Sequence, residues 1–255
     1  MRFLSRKADV DTRYGGRFVN AIEGLRSETE GGTRRDWFYF VNGIEAETGA
    51  AERELHPGDR VWWDYRDWSA AMRVPAVVGS YPEPFLHGSD GKRFPVRLDC
   101  APDANEQCDA VRDRLESAGV ETAVAAAGTP VGKDTLRVVV GEWADIRPDG
   151  AARQLEEGPA KSGVFARPVS RGEGFDVELL DVAGRPVQTL GPGSGLVAAT
   201  RFEEQQPTWV VTGTDAAGLD RAVELVDRTA LRDRFAVAVS AAPEPIPLPA
   251  STAGR

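Results

Sequence analysis

Four of the six tryptophans lie between Asp36 and Trp68, in two runs that read as neighbouring strands. The first is Asp36-Trp37-Phe38-Tyr39-Phe40-Val41-Asn42-Gly43 and the second is Val61-Trp62-Trp63-Asp64-Tyr65-Arg66-Asp67-Trp68. Side chains alternate across a strand, so Trp37, Tyr39 and Val41 share one face while Phe38 and Phe40 share the other. Likewise Trp63 and Tyr65 oppose Trp62, Asp64 and Trp68. A sheet solvated on one side would place polar residues at every second position. Here both faces carry large aromatics, so both must be covered. One set is domain core. The other is an interdomain contact, a partner surface or a stacking platform for a flat ligand.

The turns around these runs are legible. Asn42-Gly43 marks a tight reversal, and Leu55-His56-Pro57-Gly58-Asp59 contains a Pro-Gly turn. Gly15-Gly16 precedes a short strand from Arg17 to Ile22, closed by Gly24. Arg73 to Gly79 reads as extended. The alternating prolines of Tyr81-Pro82-Glu83-Pro84-Phe85 forbid a helix and favour an extended docking segment. Residues 1–88 are therefore expected to form a β domain.

From Arg93 the texture becomes alternating strand and helix. Strands are expected at 94–98, 121–127, 136–140, 175–182, 185–190, 196–200, 208–213 and 235–239. Helices are expected at 106–117, 149–156 and 216–227, the last capped by Thr214 or Asp215. This predicts an α/β domain over residues 93–240, giving a two-domain α+β/αβ chain. Two of its segments look alike, 136–141 with the helix near 149–155, and 209–213 with the helix near 218–223. They mark either a weak duplication or a common strand-to-helix turn. Residues 241–255 are rich in Pro and Ala and read as a disordered tail.

Charge excludes two function classes. A net charge of −9 and a pI near 4.9 oppose a nucleic-acid binder, which needs a basic stripe, and a peripheral helix on anionic lipid. No stretch approaches a membrane span, and no signal peptide is visible at Met1. Cys100 and Cys108 bracket a short polar loop. They form either a disulfide, pointing to an oxidising compartment, or two separate thiols. A metal site is disfavoured, because His56 and His87 lie far in sequence from either cysteine.

The remaining motifs offer little chemistry. Gly128-Thr129-Pro130-Val131-Gly132-Lys133-Asp134 has the wrong spacing for a phosphate loop and leads into a strand. Gly191-Pro192-Gly193-Ser194-Gly195 reads as a hairpin tip. His56 and His87 read as loop residues, and no Ser/His/Asp constellation stands out. The carboxylates read as solvated faces and turns. An enzyme is not expected. Gly158-Pro159-Ala160-Lys161-Ser162-Gly163-Val164-Phe165 either presents Lys161, Ser162 and backbone N–H groups to a ligand or is a tight loop anchored by Phe165.

Taken together, Tyr14-Gly15-Gly16-x-Phe18-Val19-x-x-Ile22-x-Gly24, Trp37 to Gly43, Gly49-Ala50 and Leu55-x-x-Gly58-Asp59-x-Val61-x-Trp63 resemble the transcobalamin-type C-terminal β domain. Bacterial extracytoplasmic proteins of unknown function carry this domain. The resemblance covers about residues 1–88 and implies a β-grasp-like fold. In transcobalamin-like proteins that domain closes over a corrinoid held against a helical barrel, which this sequence lacks. Met1-Arg2-Phe3-Leu4 resembles the start of the family's first helix, so earlier strands and an export signal are expected upstream. The resemblance implies a secreted or membrane-anchored protein and favours the Cys100–Cys108 disulfide. The expected function is a non-enzymatic binding protein, accessory to uptake of a corrinoid such as cobalamin or a similar ligand, with a transporter component as partner. Trp37, Tyr39, Trp62 and Trp68 are the expected stackers and Asn42 a polar contact. The alternative is a cell-surface structural or protein-interaction module.

Overall fold

A computed structural model describes residues 1–29, 31 and 34–251. The first strands are β1 (Val10–Arg13), β2 (Phe18–Ile22) and β3 (Leu25–Arg26), paired in that order in an antiparallel sheet. The aromatic runs follow as β4 (Arg35–Val41), β5 (Ile44–Glu45) and β6 (Val61–Asp67), in the order β5-β4-β6. Asn42 and Gly43 both take positive φ at the β4–β5 turn, as an Asn-Gly reversal requires. Among the described residues of 1–88 the only helical pieces are two 3-10 turns, Leu4–Arg6 and Tyr14–Gly16.

The second half contains β7 (Val96–Cys100), α1 (Asn105–Ser117), β8 (Ala123–Ala126), β9 (Leu136–Glu142), α2 (Trp143–Ile146), α3 (Gly150–Arg153) and α4 (Pro159–Ser162). It continues with β10 (Ala166–Arg171), β11 (Gly174–Leu180), β12 (Pro186–Leu190), β13 (Gly195–Thr200), β14 (Thr208–Gly213), α5 (Ala216–Glu224), α6 (Arg228–Leu231), β15 (Ala236–Val239) and β16 (Pro245–Leu248). Strands β10, β11 and β12 form an antiparallel meander. The others form a seven-stranded mixed sheet in the order β16-β15-β13-β14-β9-β7-β8. Its β14, β9, β7 and β8 run parallel, and β9 is an apolar run buried on both sides, as a central parallel strand should be. The two look-alike segments prove to be neighbours, with β9 and β14 paired Val138 to Trp209 and Val140 to Val211.

Leu98, Val138 and Trp209 stand level on one face of this sheet. Tyr81 and Phe85 cover Trp209 there, at ring-centroid distances of 6.0 and 5.0 Å, and the Tyr81 hydroxyl donates to the Arg114 carbonyl of α1. The Tyr81–Phe85 segment thus docks on the sheet of the second half, but as successive turns rather than the extended piece expected. The turns form because Tyr81, Glu83 and Phe85 keep the N–H groups that the prolines lack and donate them to Val78 O, Ser80 O and Pro82 O. One continuous core runs from Phe40 through Val74–Val78 and the large sheet to Ala250, while Val19, Ile22 and Ala50 form a small separate cluster. The hydrophobic core therefore does not divide near residue 88.

Residues 74–80 join the two halves through backbone. Glu45 N–H donates to Pro75 O and Val77 N–H to Gly43 O on one side, and Val78 N–H to Phe235 O and Asp233 N–H to Gly79 O on the other. A Cβ on Gly79 would lie 2.5 Å from Arg234 N, so the closeness of these backbones depends on that glycine. The expectation of a disordered tail over 241–255 is corrected for its middle part. Residues 245–248 form the edge strand β16 on β15, and Leu248 is buried. Burial of Leu248 supplies the apolar gain that a disordered segment lacks. Residues 252–255 lie outside the described residues.

Candidate functional site

Both faces of the aromatic hairpin are covered, each by a different part of the chain. On one face Trp37 packs on Tyr65 at 5.2 Å and Tyr39 stacks on Trp63 at 4.9 Å, against Val19, Ile22 and Ala50. Their polar tips are satisfied locally. Trp37 Nε1 donates to Leu25 O, the Tyr39 hydroxyl to Thr48 O and the Tyr65 hydroxyl to Arg26 O. On the other face Phe40 and Trp62 pack at 5.4 Å, and Trp62 meets Phe235 edge-on at 5.4 Å. The second half of the chain thus provides the cover for that face.

The expected ligand residues are consequently divided. Trp37 and Tyr39 lie on the face toward the first sheet, and Trp62 on the face toward β15. Trp68 closes the hairpin end, with Nε1 donating to Asp36 at 2.9 Å and Arg34 5.2 Å from its ring. Asn42 is fully buried. Its Nδ2 donates to Asp59 and to Gly88 O, and its Oδ1 accepts from Arg60 N–H. These five residues do not converge on one surface, and the Asn42 amide is occupied by the chain itself.

Beside Phe40 lies a buried ionic cluster. The Arg66 guanidinium stands 3.6 Å from the Phe38 ring centroid and donates to Asp64 at 3.0 Å and Glu45 at 2.5 Å. Glu45 also accepts from Arg73 Nε at 2.7 Å and from Val74 N–H. Burial raises the Asp64 pKa above its ordinary 3.8, and the neighbouring Arg66 charge only partly opposes this. Among the described residues Arg66 Nε has no hydrogen-bond partner, nor does Arg234 Nη1.

This cluster borders a groove of about 440 Å³ between β6 and the β15–β16 edge. Trp62, Phe165 and Phe235 supply aromatic wall, Pro247 and Pro249 the far side, and Asp64, Arg66 and Arg234 the polar groups. An apolar cleft of this size with a few polar groups is the form that small-ligand sites take. A second hollow of about 500 Å³ holds Glu47, Glu52, Glu54 and Asp90. Its charges are largely paired within the chain, Arg53 with Asp90 and Arg201 with Glu47.

Ser162 and the two cysteines are engaged within the fold. Ser162 is fully buried, donating to Gly158 O and accepting from Val164 N–H, while Lys161 is exposed on α4. Cys100 and Cys108 are joined in a disulfide that ties the end of β7 to the first turn of α1. His87 Nδ1 pairs with the buried Glu83 at 2.5 Å. No group of three or more His, Cys, Asp or Glu side chains among the described residues could hold a metal ion. No helix there is long and apolar enough to cross a membrane.

Sequence reading missed the partners that make the groove. Phe165, Phe235 and the prolines of β16 lie about a hundred residues or more from Trp62, and no local period links them. The one available signal was the aromatic pattern of β6, which demanded a cover without naming it.

No curated protein matches the chain. Residues 1–67 match the family model described as a domain of unknown function (DUF4430), a transcobalamin-like family, and this match takes in β1 to β6 and ends where β6 ends.

Proposed function

We propose that this chain is a non-enzymatic binding protein of an extracytoplasmic compartment, and that its ligand sits in the groove between β6 and β15–β16. The observation that carries the reading is the groove itself, whose aromatic wall of Trp62, Phe165 and Phe235 lies beside the polar groups of Asp64, Arg66 and Arg234. Apolar ligand surface gains free energy against the rings, and the polar groups fix orientation. The Cys100–Cys108 disulfide supports an oxidising compartment. The transcobalamin-like match over residues 1–67 makes cobalamin the first ligand to try, with hand-over to a transporter component as the accompanying role.

Titration of the full chain with cobalamin, and with the flat dye 1-anilinonaphthalene-8-sulfonate, tests the reading. A saturable one-site change in tryptophan emission is expected, diminished in Trp62→Phe. Absence of Trp62-dependent saturation with both probes counts against the groove as a seat for compact ligands. A second reading, a protein-interaction module, is favoured by a separate observation, the unpaired outer edge of β6.

A further inference from the structure

The outer edge of β6 shows which kind of ligand the groove is built to take. In the antiparallel β4–β6 ladder, Asn42 N–H donates to Arg60 O and Trp68 N–H to Arg34 O, each at 2.9 Å. Hydrogen-bonded pairs alternate along such a ladder. With Phe40 opposite Trp62, Phe38 opposite Asp64 and Asp36 opposite Arg66, the even-numbered residues of β6 therefore bond to β4. The N–H and C=O groups of Val61, Trp63, Tyr65 and Asp67 point the other way. Strand β6 is outermost in its sheet, so this row has no strand partner among the described residues.

Such an edge is a template for another strand, and chains usually blunt it with proline, a bulge or a cover. The edge of β16 across the groove is blunted in this way, by Pro245 and Pro247. Between Val61 and Asp67 there is no proline, and the register runs without a bulge. The one side of the groove that can pair is β6.

We propose that the groove takes an extended polypeptide segment of a partner protein, which adds to β6 as a fourth strand. This rests on the groove being a binding seat and names the class of ligand. The added backbone would bond to Val61, Trp63, Tyr65 and Asp67. Every second side chain would enter the groove, where an apolar residue level with Trp62 meets Phe235. A basic residue level with Asp67 is favoured, because cross-strand pairs of opposite charge are stabilising and Asp67 accepts only from Ser69 N–H among the described residues. A second copy of this chain is the competing occupant. Two chains of net charge −9 repel, and the Arg66 head that could face an Asp64 of the copy is already held by Glu45 and Asp64.

The test uses the intact full chain and a synthetic heptapeptide with valine at the three positions level with Trp62, Asp64 and Arg66, lysine level with Asp67 and threonine at the other three. Two further versions are N-methylated at alternate residues, in one phase or in the other. Binding is followed by tryptophan emission and by amide hydrogen exchange at residues 61–67. The unmethylated peptide is expected to bind and to protect the amides of Val61, Trp63, Tyr65 and Asp67. Methylation in the pairing phase should weaken it about tenfold or more, and methylation in the other phase about twofold at most. Equal tolerance of both phases, or binding of cobalamin or the dye without the peptide, overturns strand addition and leaves the groove as a ligand seat. Failure of all probes overturns both readings. A dimer in sedimentation that protects the same amides without peptide overturns the partner segment in favour of a second copy.

Discussion

Replacing Arg66 by methionine is expected to cost about 3–5 kcal/mol of folding stability, because it removes the cation from a buried cluster and leaves its anions in place. The side chains of Arg66 and Glu45 are 4% and 2% exposed, and that of Asp64 is 15% exposed. Methionine keeps the packing volume on Phe38 and Phe40 but surrenders two charge-assisted hydrogen bonds and the stacking over Phe38. The stacking alone is worth about 0.5–2 kcal/mol. Arg73 partly protects Glu45, since it donates to the other oxygen from an exposed position, so the loss should fall short of a wholly unpaired charge. Urea unfolding at neutral pH, followed by tryptophan emission, measures the shift in midpoint at constant slope. The Arg66→Met and Glu45→Gln double variant should lose less than the sum of the single variants, because the two residues share one interaction. Arg17→Met is the control. Its pair with Glu52 is 68% and 46% exposed, and its loss should be within about 1 kcal/mol. A loss below about 1 kcal/mol for Arg66→Met, or additive single and double losses, would refute the view that this cluster secures the hairpin to the rest of the chain.

Three further outcomes follow from the geometry. The Cys100→Ala and Cys108→Ala double variant should lose about 2–3 kcal/mol by the loop-entropy argument for an eight-residue separation, and thiol titration of the denatured, unreduced chain should find no free thiol. Gly79→Ala should cost about 1–3 kcal/mol, because its Cβ would press on the Arg234 backbone at 2.5 Å; a neutral effect in urea melts would refute the close approach. Asp64 should titrate above its ordinary 3.8, since burial disfavours its charge. The sign is the reverse of a salt-bridged carboxylate. Its ionised form opposes folding above the raised folded pKa, and that opposition is relieved as pH falls through the folded value toward the unfolded one. Carbon-13 detection of the carboxyl titration reads this directly, and a midpoint at or below 3.8 contradicts it.

Strong local periods were legible in the sequence. The aromatic runs of β4 and β6, the alternation in β11, the apolar run of β14, the apolar spacing in α1 and the capping residues before α5 placed those elements within a few residues of their observed ends. The aromatics of β4 and β6 required cover on both faces, which the structure supplies. Elements held by tertiary partners were not legible. Strand β16 has a proline at alternate positions and looks like a tail, yet it pairs with β15 because its prolines can face outward. The short helices α2, α4 and α6 carry too few residues for a period to register.

The candidate site divides along the same line. Trp62 was legible as a candidate, because a large aromatic on a two-faced strand announces itself. Trp37, Tyr39, Trp68 and Asn42 carried the same composition and could not be told from it, since a sequence shows which residues share a face and not what stands opposite that face. The sequence by itself determined the aromatic hairpin, its Asn42-Gly43 turn, the strand–helix alternation of the second half and the acidic balance, all of which depend on neighbours in the chain. Only the tertiary structure decided that β15 covers Trp62, that Arg66 and Glu45 meet in the interior, and that the outer edge of β6 is left unpaired beside a groove. Those facts depend on segments roughly twenty to nearly two hundred residues apart, where packing rather than local propensity selects the neighbour.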